Sequence, residues 1–144
     1  MIEFKHMKQE IPTWIKIFGW ILIIFGILFV FKACFAPTRI FADADMTQNV
    51  QQFFILGMVI RDIALIIGLA LAILSNRPKP MALMLIIRFI IEFADLVMDI
   101  NTRGLRILDI TFIGIILIVE FGAIITLLKQ IKANETIQSS ITNT

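Results

Sequence analysis

The chain has 144 residues, of which 59% are hydrophobic, and a mean hydropathy of +0.94. That is well above the ~45–50% apolar content of ordinary soluble domains and points to a membrane protein of one domain. A net charge of +2, with no Lys- or Arg-rich block, excludes a nucleic-acid footprint. The lone cysteine, Cys34, rules out an intrachain disulfide, and with one histidine, His6, a Cys/His zinc site is excluded as well.

The first apolar stretch, about 13–35, is long enough to cross a bilayer. Lys16 and Lys32 bracket it as snorkelling ends, and Trp14 suits the membrane boundary. Lys5 and Lys8 precede the uncharged run Ile17 to Phe31, as in a signal peptide, but Lys32 interrupts the approach to a cleavage site. The stretch is therefore read as a retained span. Gly19, Gly26 and Ala33 recur at intervals of seven, a small-residue seam suited to helix packing. Pro37 then stops the helix, and the polar stretch 36–49 is an interfacial connection with room for a short surface helix.

A second span, about 50–74, is closed by Ser75-Asn76-Arg77-Pro78-Lys79-Pro80, a turn rich in breakers and positive charge. The third runs from about 81 to 100 and the fourth from about 107 to 128. Residues 1–132 thus form a four-helix transmembrane domain, and 133–144 a polar, disordered tail. The fold class expected is all-α, an integral membrane antiparallel four-helix bundle, because short turns join spans two to four. Seven basic residues flank the N-terminal side (Lys5, Lys8, Lys16, Arg77, Lys79, Lys129, Lys132) against four opposite (Lys32, Arg39, Arg103, Arg106). This asymmetry favours an inner or plasma membrane location with both termini in the cytoplasm.

Charges inside these spans are the chain's most unusual feature. At 100° per residue, Arg88, Glu92, Asp95 and Asp99 fall within about 60° of one another, one stripe of the third helix that must face protein or water. The second span adds Arg61 and Asp62, with Gly57 and Gly68 on the Arg61 side to admit a neighbouring helix; the fourth adds Asp109 and Glu120. At ~1.5 Å of rise per residue, Arg61 and Glu92 come to roughly the same depth, as do Arg88 and Glu120. Two interhelical ion pairs are expected from that match. Near the surface Asp99 reaches Arg103 and Asp109 reaches Arg106.

This pairing leaves Asp62 and Asp95 without a dedicated cation, so at least one of them is expected to carry a proton or to accept a donor from a ligand. Three roles are open to the charged set: fixing helix register, lining a pocket for a polar ligand, or moving protons. The sequence contains no Gly-rich phosphate loop, Ser/His/Asp set or HExxH motif, and it lacks the Glu-Arg and Asn motif of the glutathione-using four-helix enzymes. An enzyme is disfavoured, and no metal or cofactor is indicated.

The run Phe54-Ile55-Leu56-Gly57-Met58-Val59-Ile60-Arg61-Asp62-Ile63-Ala64-Leu65-Ile66-Ile67-Gly68, with Ala36-Pro37 before it and an acidic third helix after it, resembles the small DoxX-like four-helix membrane proteins. The resemblance covers about 14–130 and rests on the Arg-Asp pair between glycines. It implies an antiparallel four-helix bundle, in a group linked to quinone-associated oxidoreductase complexes, redox stress or membrane-protein assembly. Arg61 and Asp62 are its family-like positions, whereas Glu92, Asp95, Asp99 and Glu120 exceed the group's pattern.

The functional expectation is a small accessory or binding protein. Its ligand would be a lipid, a quinone or another amphipathic molecule, bound by Arg61, Asp62, Arg88, Glu92, Asp95 and Glu120. A homo-oligomer or a membrane-protein partner is compatible with that role. The rival expectation is a subunit of a proton-coupled transporter or channel, with Asp95 as its leading proton-carrying group.

Overall fold

The computed structural model describes residues 10–35, 48–103 and 107–142. The described residues are all-α and form four helices: α1 (Thr13–Phe35), α2 (Gln48–Ser75), α3 (Pro78–Arg103) and α4 (Ile107–Thr142). Two compact units are formed, one from Thr13–Leu74 and one from residues 75–142 together with the segment 10–12. The interfacial connection expected at 36–49 lies almost wholly outside the described residues.

In the first unit α1 presents Ile15, Gly19, Leu22 and Ala33 as buried positions, and α2 presents Val59, Leu69, Ala72 and Ile73. Intervals of four, three and eleven return the α1 residues to a single seam of that helix. Gly26 sits on that seam. A Cβ there would come within 2.9 Å of Ile66 Cγ1, so the glycine is what allows α1 and α2 to approach. Gly57 differs: open space surrounds it, and it mediates no close helix contact among the described residues.

The second unit starts at the end of α2. Asn76 has φ of 52°, the left-handed conformation that commonly ends a helix, and its Oδ1 accepts from the backbone N–H of Ile11 at 3.3 Å. Pro78 then opens α3 at a position where a missing N–H costs nothing. Met81, Ala82 and Leu85 on α3 are buried, as are Leu117, Ala123, Ile124 and Leu127 on α4. The two helices pack along this apolar seam, and Phe89 meets Phe121 with ring centroids 5.9 Å apart.

Among the described residues three helical stretches are long and apolar enough to cross a membrane: Thr13–Phe35, Ile55–Ser75 and Ile110–Ile137. They support a multi-pass membrane protein. α3, expected as the third span, has the length but falls short in apolar character, because Arg88, Glu92, Asp95 and Asp99 all fall within it. Large side chains such as Phe31, Phe35, Leu74 and Ile118 are exposed on the helix surfaces. That much exposed apolar surface fits hydrocarbon as solvent.

α4 continues through Thr142, so the stretch beyond Lys132, expected as a disordered tail, is helical wherever it is described. The physical reason is local. No Gly or Pro interrupts it, and it carries on from a long helix whose nucleation is already made, so each added residue only has to propagate it.

Candidate functional site

The sequence-selected charges divide between the two units. Arg61 and Asp62 belong to α2. Arg88, Glu92 and Asp95 belong to α3, and Glu120 to α4.

On α3 the buried positions Met81 and Leu85 are followed at the same spacing by Arg88 and Glu92. The polar residues therefore continue the apolar seam and do not occupy a separate face. On α4, Glu120 falls between Leu117 and Ile124 in the same way. Turned inward by this register, Glu120 is 0% exposed. Arg88 Nε stands 3.5 Å from its Oε1, which is the expected interhelical ion pair. The shorter contact of Arg88 runs along its own helix, where Nη2 donates to Glu92 Oε1 at 2.7 Å. The Arg88 side chain is 13% exposed and that of Glu92 34%, so the trio grades from sealed to accessible.

Its hydrogen bonding is unequal too. Arg88 Nε and both oxygens of Glu120 are buried and have no hydrogen-bond partner. A guanidinium fork can bind a carboxylate through two parallel bonds, but here one edge is committed to Glu92 and the other is held just beyond hydrogen-bonding range of Glu120.

On α2, Arg61 Nε donates to Asp62 Oδ1 at 3.1 Å. Asp62 therefore has the cation that the sequence reading denied it. Neighbouring side chains leave a helix 100° apart, and only the long arginine stem lets its guanidinium swing back to the residue beside it. Asp62 falls on the seam that contains Val59, Ile66 and Leu69, whereas Arg61 points to its edge. Asp95, half-buried on α3, is engaged in an interaction as well. The outer pairs expected of Asp99 with Arg103 and of Asp109 with Arg106 lie outside the described side chains.

Beyond Arg61–Asp62, the same unit carries a feature that the sequence reading missed. Ile27, Val30, Phe31, Cys34 and Phe35 of α1, with Ile63, Ile66 and Ile67 of α2, line an open groove of about 300 Å³. Its walls are almost entirely apolar. Gly26 directly precedes Ile27 of this lining and stands against Ile66 of the opposite wall. Among the described residues no group of three His, Cys, Asp or Glu is placed to hold a metal ion.

No family model matches the chain, and no curated protein or solved structure matches it either.

Proposed function

We propose that the protein is an integral, multi-pass accessory protein of the inner or plasma membrane that binds an amphipathic molecule of the bilayer, a lipid or a quinone. The six charged residues Arg61, Asp62, Arg88, Glu92, Asp95 and Glu120 are its intramembrane polar groups, and Arg61 and Asp62 are those that meet the ligand's head. The resemblance of the Arg61-Asp62 segment to DoxX-like proteins agrees with this reading. In it the helices are antiparallel, α3 crosses with the others, and both termini are cytoplasmic. Support for antiparallel packing of α3 and α4 comes from their contacts: Lys79 meets Glu135, whereas Arg88, further along α3, meets Glu120, earlier on α4.

The observation that carries the ligand assignment is the juxtaposition on α2. Arg61 and Asp62 directly precede Ile63, and Asp62 is one turn before Ile66, so the ion pair and the groove wall share one stretch of helix. Ligand sites combine mostly apolar walls with a few polar groups, and a volume of ~300 Å³ is the lower end of their usual range. A guanidinium carries five N–H donors in a fork that suits a phosphate or a carbonyl oxygen.

The test is mass spectrometry of small molecules that co-purify with the detergent-extracted protein. A lipid or quinone enriched over the bulk membrane, and lost from both Arg61→Ala and a groove-filling Ile63→Trp, is the expected result. The same molecules retained by both variants would refute the site, and their mass spectrum separates lipid from quinone.

A further inference from the structure

Glu120 is the one fully buried charged side chain among the described residues. An ionised carboxylate offers about four acceptor sites, and burying it without donors is strongly unfavourable. Yet neither oxygen receives a hydrogen bond, while Arg88, the cation beside it, gives its short bond to Glu92. Something smaller than water must complete Glu120, because at 0% exposure no water-sized probe touches it. A metal ion would need further oxygen ligands, and among the described residues no group of three suitable side chains exists. A proton meets the requirement.

We propose that Glu120 is a proton-exchange site, and that Arg88 follows the negative charge between Glu120 and Glu92. In the arrangement seen, the proton is on Glu120 and the guanidinium is bound to the Glu92 carboxylate. When the O–H bond of Glu120 breaks and the proton forms an O–H bond on Glu92, Arg88 releases Glu92 and closes the 3.5 Å gap to Glu120. One arginine, one carboxylate and one carboxylic acid are present before and after, so the charge of the trio is unchanged. Glu92, 34% exposed against 0% for Glu120, is the end from which the proton leaves the seam. Arg88 and Glu92 of α3 are the charged groups whose fields act on Glu120. The role is independent of any ligand at the α1–α2 groove.

Infrared spectroscopy of the full chain in liposomes, titrated with pH in H2O and in D2O, tests this. The wild type is expected to show a protonated-carboxyl stretch that shifts in D2O and titrates, and Glu120→Gln to lose it. Glu92→Gln frees the guanidinium for Glu120 and is expected to weaken the same band, which gives a readout should Glu120→Gln fail to fold. Asp95→Asn is expected to keep the band. The proposal is overturned if the wild type has no such band at any pH, if the band is unchanged in Glu92→Gln, or if it persists in Glu120→Gln and disappears in Asp95→Asn.

Discussion

Arg88 brings its Nε to 3.5 Å from Oε1 of Glu120, so a cation on α3 faces a sealed carboxyl group on α4 across a largely apolar seam. Removing one member of a buried pair costs ~3–5 kcal/mol because its partner is left uncompensated. Arg88→Ala is expected to fall at the lower end, about 3 kcal/mol, since a protonated Glu120 leaves no buried charge behind and Glu92 is 34% exposed. An Arg88→Met and Glu120→Leu double variant should recover most of that loss. Denaturation in detergent, followed by circular dichroism, checks both; equal losses in the single and double variants would contradict the pairing.

At Gly26 and Gly57 the same substitution should have opposite outcomes. Alanine gains up to ~1 kcal/mol in helix propensity over glycine. At Gly26 its Cβ would press on Ile66 Cγ1 at 2.9 Å, a branched position that cannot simply rotate away. Overpacking of ~1–3 kcal/mol should leave Gly26→Ala destabilised by about 1 kcal/mol. Gly57 has open space, so Gly57→Ala should be neutral or stabilising by up to ~1 kcal/mol. Midpoints of chemical unfolding compared side by side decide the matter.

Asn76 joins backbone conformation to a side-chain acceptor. Asn76→Ala should cost about 1–2 kcal/mol, because alanine is penalised at φ of 52° and the N–H of Ile11 loses its partner. Asn76→Gly should recover the conformational part only. Hydrogen exchange at the Ile11 amide separates the two contributions, rising in both variants.

The exposed bridge between Lys79 and Glu135 should matter little. Its side chains are 69% and 60% exposed, and such pairs contribute ~0–1 kcal/mol and are screened by salt. Lys79→Ala is expected to change stability by under ~0.5 kcal/mol, with no difference left at high salt. A larger loss would show that the end of α4 depends on this contact.

Where helices start was legible in the sequence because breakers and apolar runs mark it, and α1, α2 and α4 start within a few residues of their expected positions. Arg88 and Glu120 could be paired in advance since helical rise fixes depth. Asp62 could not: its partner is the adjacent residue, reached by bending a flexible stem, and periodicity carries no record of side-chain torsions. The close of α4 was missed for a related reason. A polar composition suggested disorder, whereas the stretch propagates a helix already nucleated in the apolar part of α4, which composition does not record. As for the α1–α2 groove, its walls come from side chains of two helices together, which the periodicity of either helix alone does not record.

Arg88 and Glu92 are four residues apart, while Arg88 and Glu120 belong to different helices. During synthesis the ribosome delivers Glu92 almost at once, and α4 is still unmade when α3 coils. A nascent α3 thus has its own counter-ion from the first turn, and the cost of carrying an arginine toward lipid is met before the second carboxylate emerges. The order in which the two contacts become available is written into their separation along the chain.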